Sequence, residues 1–201
     1  MKTLLLIHFI LSSFWIIQVK GQGFNAALLT GFNAAQIDGD DLAGYNKLGF
    51  HGGLKLSYFV KNKIDLSTEL LVSQRGSSES FSIQTSDNQE FIQLNYIELP
   101  VMITVHDWLI NESYYKVRAE FGLSYANLFN SSSQNSFFDE DVSKFKTHDF
   151  SFLFGLAYRF TEKLGINVRY TRSIIPLFEN PTQLVRGLFG YFVTFRFEYH
   201  L

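Results

Sequence analysis

Large apolar residues recur at every second position through most of this chain. The clearest stretch runs from Asp149 to Phe160, where Phe150, Phe152, Phe154, Leu156, Tyr158 and Phe160 alternate with Asp149, Ser151, Leu153, Gly155, Ala157 and Arg159. A period of two puts these sets on opposite faces of an extended strand, whereas a helix would spread the large residues around its circumference. The last segment repeats the pattern, with Tyr191, Val193, Phe195, Phe197, Tyr199 and Leu201 against Thr194, Arg196, Glu198 and His200. Between them, Leu164, Ile166, Val168 and Tyr170 oppose Gly165, Asn167, Arg169 and Thr171. Upstream, Tyr115, Val117, Ala119, Phe121, Leu123 and Tyr125 oppose Lys116, Arg118, Glu120, Gly122 and Ser124. Ile97, Leu99, Val101 and Ile103 oppose Tyr96, Glu98 and Thr104. Ile64, Leu66, Leu70 and Val72 oppose Asp65, Ser67, Glu69 and Arg75, with Leu71 breaking the polar side. Phe50, Leu54, Leu56, Tyr58 and Val60 oppose His51, Gly53, Lys55 and Ser57. With Phe24 to Ile37, which carries small or apolar residues on both faces, about eight strands are predicted.

The links between these strands alternate in length. Lys61-Asn62-Lys63 and Thr161-Glu162-Lys163 read as tight hairpin turns. Asp38 to Asn46, Ser77 to Glu90, Ser131 to Thr147 and Pro176 to Gly187 read as long connections. Short and long links therefore fall on opposite ends, the asymmetry of a transmembrane barrel with short periplasmic turns and long external loops. The fourth link, His106 to Glu112, reads as longer than its class.

Alternation alone also fits a soluble barrel with its apolar face inward, and the polar face decides between them. An eight-stranded barrel has an interior just wide enough to fill with side chains, and the large residues of these strands would overfill it. The polar face mixes Gly, Ala and Ser with Lys55, Arg75, Lys116, Arg118, Arg159, Arg169 and Arg196. Against these stand Asp65, Glu69, Glu98, Glu120, Asp149 and Glu198, a near-balanced set that can pair across a lumen. The prediction is a closed antiparallel barrel with its apolar face toward lipid. Tyr58, Tyr115, Tyr125, Tyr158, Tyr170, Tyr191 and Tyr199 fall on the lipid side, many near strand ends where aromatic girdles form.

Composition agrees: the 201 residues include 22 Phe, 10 Tyr and only 3 Pro, which suits a pleated surface. Lys2, the apolar run Leu4 to Ile17 and the small or polar exit at Gln18, Lys20 and Gly21 read as a secretory signal peptide, removed after about Gly21 or Gln22. The domain reading is therefore a signal segment over 1–21 and a barrel over 22–201. Without Lys2 and Lys20 the basic count is 17 − 2 = 15 against 19 acidic residues, which offers no basic footprint for nucleic acid. Cysteine is absent, which excludes a disulfide framework, a thiol nucleophile and a Cys-ligated metal.

Several short motifs resemble the PorT-like outer-membrane β-barrel family of Gram-negative bacteria. They are Gly31-Phe32-Asn33, Gly49-Phe50-His51-Gly52-Gly53, Glu69-Leu70-Leu71, Gln74-Arg75-Gly76, Tyr96-Ile97-Glu98-Leu99-Pro100, Gly122 and Arg169-Tyr170. The resemblance covers essentially the whole mature chain and implies a bacterial outer-membrane location. Its namesake is associated with protein export by the type IX route, so a secretion accessory is the alternative role it implies. Pro100 within a strand removes a ladder donor and predicts a bulge or bend. The chain departs from such barrels in ending on Leu201 rather than an aromatic residue, which leaves Phe197 and Tyr199 to carry an assembly signal.

Catalytic, metal and cofactor chemistry is not expected. His51, His106, His148 and His200 lack metal-ligand spacing. His148-Asp149 suggests hydrolysis as in lipid-modifying barrels, but no serine stands in a nucleophile-elbow context. Asp38, Asp40 and Asp41 offer oxygen ligands for calcium but read better as an acidic solvated loop. The expected role is structural or interactive, with a lumen plugged by paired charges. Its expected partners are outer-membrane lipid and lipopolysaccharide, with secretion-machinery or surface partners reached through the loops.

Overall fold

In the computed structural model, residues 23–40, 42, 44–81, 90–134, 145–178 and 187–201 are described. The signal segment read over 1–21 lies outside them, as does Asp41. Eight strands follow in order: β1 (Phe24–Asp38), β2 (Lys47–Lys61), β3 (Ile64–Ser78), β4 (Phe91–Ile110), β5 (Tyr114–Gln134), β6 (His148–Arg159), β7 (Leu164–Ser173) and β8 (Phe189–His200). Each pairs antiparallel with its sequence neighbour, and β8 returns to β1 from Ala27↔His200 to Asp38↔Phe189. That last ladder closes the wall and leaves no unpaired edge.

The alternation points outward as the charge argument requires. Phe121 is 63% exposed, Leu156 64% and Phe197 66%, whereas Glu69 and Arg196 are 2% and Arg169 1% exposed. In an aqueous protein this would be an inside-out distribution; in a bilayer it puts hydrocarbon against lipid.

Two local expectations are corrected. β4 continues to Ile110, so its link to β5 is residues 111–113 and all three even-numbered links are short. Ser113 N–H donates to the Ile110 carbonyl at 2.9 Å, and Asn111 and Glu112 have φ of 48° and 56°. Positive φ at both central residues matches a type I′ hairpin turn. Glu112 hides it in the sequence, because a non-glycine residue other than Asn or Asp rarely adopts that conformation. The second correction concerns Pro100. The β4–β5 register runs unbroken through Pro100↔Ser124, and the shift lies instead at Asn95/Tyr96. The missing donor shows only on the β3 side, where pairs stop at Thr68↔Val101 and resume at Leu71↔Glu98. There the Thr68 hydroxyl donates to the Pro100 carbonyl at 3.0 Å.

β4 also reverses its polarity along its length. From Ile97 to Val105 its exposed positions are Ile97, Leu99, Val101, Ile103 and Val105. From Phe91 to Tyr96 the same outer row carries Gln93 and Asn95, and the buried row carries Ile92, Leu94 and Tyr96. Gln74 donates to Asn95 at 3.1 Å on this outer row. The strand has left the hydrocarbon here: water replaces lipid outside, and apolar packing replaces charge inside.

Strand contact is closest at two glycines of the short motifs, Gly53 and Gly76. A Cβ on Gly53 would lie 2.0 Å from the Leu70 carbonyl oxygen, and one on Gly76 1.9 Å from that of Ile92, with φ of 144° at Gly76. Gly76→Ala should therefore destabilise the barrel by about 1–3 kcal/mol, read from urea unfolding in detergent. The folded wild type should also migrate differently on gels before and after boiling; identical mobility would count against a closed barrel.

Candidate functional site

Five strands send charged side chains to one level of the lumen. Glu69 of β3 accepts from Arg169 of β7 at 2.8 and 3.0 Å and from Arg196 of β8 at 2.9 and 2.8 Å, so two guanidinium forks share one carboxylate. Glu120 of β5 accepts from Lys55 of β2 at 2.6 Å, Arg169 at 2.9 Å, Asn167 at 2.9 Å and Arg118 at 3.3 Å. Arg118 also donates to Glu198. Toward the loop end, Arg75 donates to Asp149 at 2.9 Å and to Glu98, which takes a further bond from Ser124 at 2.7 Å. The Arg75 guanidinium lies 4.2 Å from the Phe192 ring centroid and 4.9 Å from that of Tyr96. Lys55, Glu69, Arg75, Glu98, Arg118, Glu120, Asp149, Arg169, Arg196 and Glu198, all on the polar face of the alternation, are thus brought together.

Lys116 and Arg159 are not part of this network. Trp108 has a φ of 61°, and the ladder skips from Asp107↔Val117 to Leu109↔Tyr115. This breaks the two-residue alternation two pairs above the turn. Tyr115, expected on the lipid side, instead packs at the barrel mouth in tilted contact with His106 at 5.3 Å and Phe59 at 6.3 Å. Lys116 is displaced with it and lies over the rings of Trp108 at 4.8 Å and Tyr158 at 5.3 Å. Arg159 stays at the mouth, where its Nη2 donates to His200 Nδ1 at 2.6 Å. That bond requires an unprotonated Nδ1, so a neutral His200 carries its proton on Nε2, 3.4 Å from Glu198.

The two ends of the lumen differ. At the long-loop end Ile37, Ile92, Leu94, Tyr96, Ala126, Phe145, Leu177, Phe178 and Leu188 form a buried apolar cluster. At the short-turn end a cavity of about 580 Å³ is lined by residues including Phe59, Asp65, His106, Tyr115, Arg159 and His200. Asp65 meets His106 Nε2 there at 2.6 Å.

The remaining candidates do not converge. His148 meets the Tyr125 hydroxyl at 2.8 Å on the outer face, while Asp149 serves Arg75 on the inner. Asp38 points outward toward Arg172 at 3.9 Å, and Asp40 turns inward to accept from Leu42 N–H at 3.1 Å. Among the described residues no group of three His, Asp or Glu side chains could hold a metal. Sequence reasoning placed His51 and His200 on the polar face but read His106 as the start of the fourth link, and so missed it as a buried lumen residue. It also missed the apolar cluster, whose loop residues Phe145, Leu177 and Phe178 follow no period.

The network's energetics follow from Glu69. Removing its charge would leave Arg169 and Arg196 buried side by side with Glu120 as their shared counter-charge, at 2.9 and 3.5 Å. Glu69→Gln should cost about 3–5 kcal/mol in urea unfolding, the range for breaking a buried pair. Lys116→Gln should leave the midpoint essentially unchanged. Equal effects from the two substitutions would refute the assignment of Glu69 as the network's centre.

No curated protein sequence matches this chain. Among solved structures it is similar to Ail, the attachment invasion locus protein of Yersinia pestis, with 15% identity over 89% of this chain and 99% of Ail and a TM-score of 0.48. It is also similar to the outer membrane protein OprG of Pseudomonas aeruginosa, at 12% identity, 89% and 96% coverage and a TM-score of 0.49. Neisserial surface protein A gives 11% identity, 88% and 96% coverage and a TM-score of 0.45. Residues 18–179 match the outer membrane protein beta-barrel domain family. The chain belongs to that family, and its strands form a barrel of the bacterial outer membrane.

Proposed function

We propose that the protein is a non-conducting, non-catalytic barrel that holds its external connections at the cell surface. The observation that carries this reading is a lumen closed at two successive levels. The charge network fills its middle, with Glu69 and Arg196 both 2% exposed, and the apolar cluster closes its loop end, where Ile92, Phe178 and Leu188 are fully buried. Among the described residues these two levels fill the lumen, which supports a barrel without a continuous wet path for ions and solutes.

The working surface is then the set of connections at residues 39–46, 79–90, 135–147 and 174–188, which the usual orientation places outside the cell. They face lipopolysaccharide and surface partners, and the apolar band faces lipid. The motifs that resemble those of PorT-like barrels have scaffold roles in this chain. Gly53 and Gly76 allow close strand approach, while Glu98 and Arg169 belong to the lumen network. They give no independent support to a role in export.

Planar-bilayer recording tests the reading. Purified wild-type protein should insert without stepwise conductance, and sustained unitary openings would overturn the proposal.

A further inference from the structure

The cavity at the short-turn end has no part in sealing the lumen, and its charge is not balanced in the way the network's is. Lys55, Arg75, Arg118, Arg169 and Arg196 each have a carboxylate within ion-pair distance. Arg159 has none among the described residues; its guanidinium is held by the neutral acceptor His200 Nδ1. The cavity's own buried carboxylate, Asp65, is already engaged by His106 at 2.6 Å. One wall is apolar and aromatic, built by Phe59, Leu109 and Tyr115. The volume of about 580 Å³ suits a small organic molecule. Strands enclose the cavity laterally and its mouth lies among the short turns, at Asn62, Glu112 and Ser113, so entry is from the aqueous side.

We propose that this cavity binds a small water-soluble molecule carrying a phosphate or carboxylate on an aromatic or aliphatic body, with the oxyanion held by Arg159. A guanidinium matches the geometry of either oxyanion and can engage it through two parallel bonds. The Phe59, Leu109 and Tyr115 wall receives the apolar body. A lipid headgroup offers the same chemistry, but its acyl chains would have to leave the bilayer and enter through the mouth, which favours a free solute.

The test is calorimetric titration of phenyl phosphate into the full-length protein in zwitterionic lipid nanodiscs. Saturable binding is expected, weakened about tenfold or more by Arg159→Gln, the loss expected for a charge-assisted bond. Lys116→Gln, at the same end but outside the cavity, should change affinity by less than about twofold. Retained heat-modifiable mobility of the Arg159→Gln protein separates lost binding from lost folding. No saturable binding by the wild type, or equal binding by Arg159→Gln, overturns the proposal. Inorganic phosphate binding as tightly as phenyl phosphate removes the role given to the apolar wall. Loss of phenyl phosphate binding in phosphatidylglycerol discs would make a lipid headgroup the occupant and overturn the assignment to a free solute.

Discussion

Everything in this barrel depends on one carboxylate accepting two guanidinium groups on its axis. A closed ring of eight strands leaves an interior that side chains must fill, and here much of the filling is charged. Charges in that space are tolerable only when paired and hydrogen-bonded. Glu69 meets both requirements at once by drawing Arg169 and Arg196, from strands β7 and β8, onto β3 across the lumen. The balance then extends outward: Lys55, Arg75, Arg118, Arg169 and Arg196 stand against Glu69, Glu98, Glu120, Asp149 and Glu198. A buried network of this kind adds little net stability over an apolar filling of equal volume. Its effect is on register. Slipping any strand by one residue would turn its charges into lipid and its large apolar residues into the lumen. The same pairs that fill the axis therefore fix which residue faces which around the wall.

Above and below this level the lumen follows different physics because the surroundings differ. At the loop end β4 and β5, at 20 and 21 residues, rise beyond the hydrocarbon, and the polarity of the β4 faces exchanges. Ile92, Leu94 and Tyr96 pack inward on Phe145, Phe178 and Leu188, an ordinary apolar core in water. At the turn end no equivalent core forms. Aromatic rings and the Asp65–His106 and Arg159–His200 contacts line an open cavity instead.

Most of the wall was legible from period two, because hydrocarbon outside and charge inside give each strand two chemically distinct faces. Where that contrast disappears, so does legibility. The β4 segment from Phe91 to Asn95 carries the opposite polarity, and neither the apolar alternation starting at Tyr96 nor the connection ending at Glu90 takes it in, although it is strand. Lys116 has the parity of a lumen residue, and only the left-handed backbone at Trp108, which no pattern announces, sends it to the rim. The charged partners were legible as a set but not as pairs. Which carboxylate meets which guanidinium depends on the stagger of strands around the ring, and that is fixed by closure. Arg159 reads like its neighbours in sequence. Its separateness comes from lying on the last residue of β6, below the level at which the carboxylates converge.

That position makes the cavity and the network neighbours joined by one residue. His200 accepts from Arg159 through Nδ1, and its other ring nitrogen lies 3.4 Å from Glu198, the carboxylate that also serves Arg118. An oxyanion at Arg159 would compete with His200 for the guanidinium, and the freed ring would remain tethered on its Glu198 side. Glu69, Arg169 and Arg196 lie deeper and make no contact with Arg159, so the seal on the axis does not depend on whether the cavity is filled. In the proposed reading a barrel built this way is closed to passage yet accessible from one side, with the proposed binding chemistry confined to the lumen level at which Arg159 lacks a carboxylate partner among the described residues.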